Sequence, residues 1–238
     1  MTTRRDILTG GAGLAAILAS GKAPAALVRS MVTMRNALMA GKRLPYDAEV
    51  EYLESTGTQY IDTGWKPTSN NLSMEAVFVA CTGSNLNKSY FGSEQPSTAT
   101  VRYLFVLYDY NYLRCYTGNT SINTFMAAPT QGQMFAIKWD VTASGFTVTD
   151  KMSGTTATKT FSSTLDFTAF ANTLKIFQNT DKQRAPMKLY SFKIWDNGVL
   201  VRDYIPVRKD GVGYMYDRVS GQLFGNAGTG AFVVGPDK

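Results

Sequence analysis

Three glutamates, Glu49, Glu51 and Glu54, fall within six residues. Carboxylates in close pairs split glycosidic bonds when held about 5 to 9 Å apart beneath a sugar-binding groove. In a regular strand Glu49 and Glu51 share one face and Glu54 points the other way unless a bulge intervenes. A solvated first strand with Val50 and Tyr52 packed inward therefore accounts for the segment better than a catalytic pair. The second candidate is the aromatic run from Tyr103 to Tyr112, continuing to Arg114 and Tyr116. Tyr108, Tyr110 and Tyr112 would share one face if extended, but Asp109 to Asn111 reads better as a hairpin tip that splays the rings around an exposed loop. Such rings stack on the apolar faces of sugars while their hydroxyls bond sugar hydroxyls. Tyrosine and arginine are equally at home in protein contacts, and ordinary surface packing is a third reading. Trp65, between Gly64 and Pro67, is expected on an exposed loop. Trp65, Tyr108, Tyr110, Tyr112 and Arg114 form the candidate ligand-binding set, whereas Trp139 and Trp195 lie in expected strands and are assigned to the core.

Histidine is absent from all 238 residues. That removes Ser-His-Asp and Cys-His nucleophiles, histidine acid/base work, and the usual zinc and non-haem iron sites. No catalytic residue is assigned, and no cofactor is expected. Cys81 and Cys115 are the only thiols; one disulfide and a buried reduced pair are both compatible with their spacing. The glycine-rich run from Gly221 to Gly230 has neither a following helix nor a Lys-Ser/Thr pair, so it lacks what a phosphate cradle needs.

The net charge of +6 is unevenly placed. Residues 1–46 carry seven basic side chains against the single acid Asp6, which leaves residues 47–238 neutral. Nucleic acid is therefore not expected as a partner of the body. Arg4-Arg5, the small apolar run Gly10 to Ser20 and Ala23-Pro24-Ala25 look like a twin-arginine export signal, too short to span a membrane. An uncleaved docking segment is the competing reading. Leu27, Met31, Met34 and Leu38 then fall at 4-3-4 spacing, so Ala25 to Ala40 is expected to be a helix with an apolar seam, ended by Gly41. That seam suits self-association or a larger assembly. The expected division is 1–26 as signal or docking segment, 27–45 as helix and linker, and 46–238 as one β domain.

Within that domain short apolar runs alternate with turn residues, the pattern of an all-β sandwich. Expected strands are 49–53, 59–62, 72–80, 89–91, 101–108, 112–117, 133–140, 145–150, 155–161, 174–178, 187–195 and 199–205. Asp196-Asn197-Gly198 carries the Asn-Gly pair of a tight hairpin.

The stretch Val50 to Gly64, VEYLESTGTQYIDTG, resembles the opening of concanavalin A-like (laminin G-like) jelly-roll domains of gut-bacterial secreted and phage-encoded proteins. Met187 to Gly198 is similar to their penultimate hairpin, Leu200 to Val207 to their closing strand, and Gly211 to Phe232 to their terminal loop. The resemblance implies a jelly-roll β-sandwich of two antiparallel sheets behind a helical leader. It also implies a non-catalytic recognition module that binds glycans or a glycoprotein surface outside the cytoplasm, in the periplasm, at the cell surface or secreted. A component of a phage particle, docked through its N-terminal helix, is the alternative, with the virion as its location. Glucanases of this fold carry a Glu-x-Asp-x-x-Glu strand motif, which Glu49, Glu51 and Glu54 match only in part. Calcium, bound by many such modules, would look to Asp62, Asp109, Asp181 or Asp217, although solvated turn aspartates explain these as well.

Overall fold

The computed structural model describes residues 44–82, 88–179 and 184–238. The leader motifs, the helix expected over Ala25 to Ala40 and Asp181 lie outside the described residues. Residues 45–238 form one compact unit. Its strands are β1 (Ala48–Glu49), β2 (Leu53–Ser55), β3 (Ile61–Asp62), β4 (Leu72–Ala80), β5 (Lys88–Glu94), β6 (Tyr103–Asp109), β7 (Tyr112–Gly118), β8 (Thr120–Ala127), β9 (Met134–Thr142), β10 (Gly145–Asp150), β11 (Thr156–Thr160), β12 (Lys175–Ile176), β13 (Met187–Asp196), β14 (Val199–Lys209), β15 (Val212–Asp217), β16 (Gln222–Phe224) and β17 (Val233–Val234). Among the described residues the only helical turn is the 3-10 turn Phe167–Ala169.

Two antiparallel sheets result. The larger runs β11-β10-β9-β4-β13-β14-β15-β16, with β1 on β14 and β2 bridging β13 and β17; the smaller runs β3-β12-β5-β6-β7-β8. Period-2 patterning drives the pairing: in β4, Leu72, Met74, Ala76, Phe78 and Ala80 are buried while the residues between them are not, as a half-buried strand requires. Strand β13 keeps its apolar residues inward only because the register slips between Leu189 and Ser191. That bulge lets Leu189 and Phe192, three residues apart, both point into the core.

The core is aromatic and joins the two sheets. Phe78 of β4 meets Phe91 of β5 at 5.9 Å, Phe192 of β13 meets the same ring at 5.4 Å, and Phe105 of β6 meets Trp139 of β9 at 5.9 Å. The sandwich is thus held by ring pairs that gain beyond area burial when packed edge to face.

The first and last segments are tied together. Gln59 donates to the Ala231 carbonyl at 2.9 Å, Thr58 donates to the Thr229 carbonyl at 3.0 Å, and the Asn226 side-chain oxygen accepts from the Tyr60 N–H at 3.1 Å. These bonds explain in physical terms why the opening and terminal stretches belong to one unit.

Buried ionisable groups set a pH limit on this fold. Burial raises the Tyr90 and Tyr204 phenols and the Cys115 thiol above their ordinary values, and it pushes the Cys81 thiol up to about 11 with help from the Glu54 charge. A pKa raised by folding gives stability that is full below the unfolded value and is lost as pH climbs towards the folded one. Thermal melting should therefore be level to about pH 8.5 and fall progressively above it, first as unfolded thiols ionise and then, near pH 10, as unfolded phenols do. A melting temperature unchanged between pH 7 and pH 10.5 would contradict this.

Several expected boundaries move. The strand expected over 49–53 is broken into β1 and β2, because Val50 turns off to form an isolated bridge with Asp237. Strand β8, not expected, is polar and mostly solvent-facing, with Phe125 its one fully inward residue. Strand β16 lies within the stretch expected to be loop. Trp195, assigned to the core, is only half-buried on the outer face of β13, since the bulge that turns Ile194 inward turns Trp195 out. Both cysteines are free.

Candidate functional site

The irregular pairing of β5 with β6 decides which side chains leave the small sheet. Phe105 adopts a φ of 49° and Gly92, across from it, a φ of 133°, backbone that bulky residues rarely occupy. The register of β5 on β6 shifts on either side of Phe91, and that of β6 on β7 shifts between Tyr103 and Val106. Leu104 and Phe105 both turn inward, so Tyr103, Val106 and Tyr108 emerge on the outer face. On β7 strict alternation buries Leu113, Cys115 and Thr117 and sends Arg114 and Tyr116 outward. Cross-strand pairing then sets Arg114 opposite Tyr108 and Tyr116 opposite Val106.

These residues line a cleft of about 500 Å³ together with Glu94, Arg102, Tyr110 and Asn179. Its floor is a chain of rings: Tyr103 and Tyr116 at 5.1 Å, Tyr116 and Tyr108 at 6.2 Å. Guanidinium groups cap both ends, Arg102 lying 4.7 Å from the Tyr103 centroid and Arg114 4.6 Å from that of Tyr110. A second depression of about 460 Å³ shares Arg102, Tyr103 and Tyr116 and continues past Asn119 and Ser121. The two depressions adjoin along these three shared residues.

Charges in the groove are unequally satisfied. One Glu94 oxygen accepts from Arg102 Nε at 3.1 Å and from its terminal nitrogen at 2.7 Å. This pair neutralises both groups and raises the Arg102 pKa, chiefly through the hydrogen bond. Asn179 donates to the other Glu94 oxygen at 3.5 Å. Burial raises the Tyr103 and Tyr108 phenols, keeping them neutral donors across the physiological range. Two polar atoms in the groove are buried without a hydrogen-bond partner among the described residues: Arg114 Nε, a donor, and Asn179 Oδ1, an acceptor.

Of the expected binding residues, Tyr108, Tyr110 and Arg114 come together in this cleft. Tyr112 stands apart from its lining, 45% exposed at the start of β7. Trp65 is corrected: it is buried, not displayed on a loop. The segment from Ile61 to Pro67 alternates inward and outward like a strand, and the Trp65 carbonyl accepts from Leu174 N–H at 3.0 Å, which points the indole into the core. The hairpin tip is Tyr110-Asn111 alone, because Asp109 still belongs to β6 and is fully buried. Tyr116 was legible from β7 parity once the hairpin was placed, whereas Tyr103 was not, because the irregularity at Phe105 breaks the alternation along β6. Glu94 and Asn179 come from distant segments and carry no local signal.

The other candidates are explained structurally. Glu49 accepts from the Tyr46 hydroxyl at 3.2 Å and Glu54 pairs with Lys188 at 3.8 Å. The buried Asp217 carboxylate accepts from Asp203 N–H at 2.8 Å, Val219 N–H at 3.1 Å and the Ser220 hydroxyl at 2.8 Å, fastening the turn after β15. Asp62 accepts from Gly64 N–H at 3.0 Å, the ordinary work of a turn aspartate. Among the described residues no group of three or more acid, cysteine or histidine side chains could hold a metal ion, and no helix is long and apolar enough to cross a membrane.

The fold and cleft define a protein of two antiparallel sheets with a tyrosine and arginine groove on the smaller one. No family model matches the chain, and no curated protein does. Among solved structures, it is similar to scytalido-glutamic peptidase bound to a transition state analog inhibitor, at TM-score 0.38 and 11% identity over 69% of this chain and 91% of that one. A second structure of that peptidase, with a peptide-based transition state analog, gives TM-score 0.37 and 13% identity over 69% and 91%. SCP-B, an eqolisin-family peptidase in complex with the tripeptide Ala-Ile-His, gives 0.36 and 10% over 66% and 84%. The expectations of a non-catalytic glycan-binding module, with its particle-component and glycoside-hydrolase alternatives, and of a chain that is not an enzyme are corrected to this extent: the solved structures it is similar to are peptidases, at TM-scores of 0.36 to 0.38. A likeness this distant transfers neither their reaction nor their catalytic groups to this chain.

Proposed function

We propose that the groove on β6 and β7 binds an extended polypeptide segment. The observation that carries this reading is the pair of unsatisfied buried atoms in the groove, the Arg114 Nε donor and the Asn179 Oδ1 acceptor. A peptide unit offers one carbonyl acceptor and one N–H donor, which is what these two atoms lack. The ring-lined floor supports it further, since tyrosine and arginine dominate protein contacts by combining large rigid area with polar tips. Two depressions in series suit a ligand several residues long. The same reading takes the sandwich to be of the concanavalin A-like, laminin G-like kind, supported by the joining of the opening and terminal stretches through β1, β2 and β17.

A random-peptide display selection against the full chain tests the proposal. Peptides should be enriched, and Tyr116→Ala and Tyr103→Ala should each weaken their binding about tenfold or more, the range of a truncated contact anchor. Mass spectrometry of the same incubations distinguishes holding a peptide from cutting it. Absence of enrichment, or enrichment indifferent to both substitutions, would remove the polypeptide reading.

A further inference from the structure

We infer that the groove selects polypeptides carrying a carboxylate and that Arg114 is the group that takes it. The inference rests on the polypeptide reading of the groove and specifies its ligand. The two guanidinium groups there differ in what they already hold. Arg102 is committed to Glu94, with contacts of 3.1 and 2.7 Å to one oxygen. Arg114 faces no carboxylate among the described residues; its guanidinium lies on the Tyr110 ring, 4.6 Å from the centroid, and its Nε is buried without a partner. A guanidinium resting on a ring keeps N–H groups free for a further partner, and a guanidinium fork receives a carboxylate through two parallel hydrogen bonds.

The surroundings of Arg114 fit an anionic guest. It is fixed on β7 opposite Tyr108, and the one carboxylate lining the groove among the described residues, Glu94, is already paired with Arg102. Asn179, only 4% exposed, lines the same cleft with its Oδ1 buried and unsatisfied among the described residues, an acceptor that a small side-chain rotation would offer to a backbone N–H of the guest. One ligand thus meets a charged donor for its carboxylate and a neutral acceptor for its chain. Residues 47–238 sum to zero charge, so the preference arises locally and not from a long-range field.

The test uses the full chain and three fluorescent nine-residue peptides of equal aromatic content, followed by polarisation. One carries two glutamates with an amidated C-terminus, one has glutamines in their place, and one has the glutamines with a free C-terminal carboxylate. The glutamate or the free-terminus peptide should bind about ten- to a hundredfold more tightly than the neutral one, the range of a charge-assisted hydrogen bond. Added salt should narrow the gap. Arg114→Met, which keeps the apolar stem, should weaken all three peptides and abolish the difference between them; Arg114→Lys should restore part of the difference. Equal binding of all three peptides, or a preference that survives Arg114→Met, overturns the carboxylate inference alone. Failure of every peptide to bind the wild-type chain overturns the polypeptide reading and this inference with it.

Discussion

Replacing Gly92 with alanine is expected to destabilise the protein by more than about 3 kcal/mol, because two separate penalties fall on one methyl group. At the Gly92 φ of 133° an L side chain is strained before anything else is considered. A Cβ there would also sit 2.6 Å from the Val106 Cα and 2.9 Å from the Phe105 carbonyl oxygen. Both are backbone atoms of the neighbouring strand, so no rotamer change relieves the overlap. Strand β6 would have to move away, carrying Phe105 off Trp139 and Val106 out of the cleft. For a domain of this size the melting temperature should drop by about 6 to 12 °C. A calorimetric shift of under about 2 °C would mean that β5 and β6 approach less closely than the structure shows.

Trp139→Ala should cost about 3 to 5 kcal/mol in denaturant unfolding, the usual range for emptying a large aromatic site. The indole is fully buried, stacks on Phe146 at 5.8 Å and meets Phe105 edge-on at 5.9 Å. Its loss would remove ring contacts on both sheets at once. Trp139→Phe is expected to cost far less than the alanine change. The indole N–H has no hydrogen-bond partner among the described residues, and a buried donor left unmade carries a desolvation penalty that a phenyl ring does not. If the phenylalanine and alanine variants were equally destabilised, the indole N–H would have to be engaged after all.

The regular strands could be read in the sequence because their information is local. Period-2 burial in β4, β9 and β10 follows directly from alternating residue types, and Asn197 and Gly198 take the positive φ values that their tight turn requires. Strand β8 could not be read this way. It is an edge strand with little to bury, so its identity comes from hydrogen bonds to β7 and not from its own composition. The cleft was half legible for a similar reason. Tyr108, Tyr110 and Arg114 lie on one hairpin, whereas Glu94 and Asn179 reach it through sheet order and a loop far along the chain. Trp65 was misplaced because a proline and a glycine beside it suggest a loop, while the alternation that buries it depends on a bond to Leu174 more than a hundred residues away. The bulges are the remaining gap: no residue type announces that Phe105, a phenylalanine, will adopt a left-handed backbone.

The bridge between Val50 and Asp237, with Lys238 N–H donating to the Glu49 carbonyl at 3.0 Å, places the way into the sandwich beside the way out of it. A unit threaded like this hangs from a single point of attachment. It can be spliced as a pendant into a surface loop of an unrelated host chain without stretching that loop, and new ends can be opened at the Asn197-Gly198 tip once the old ones are joined.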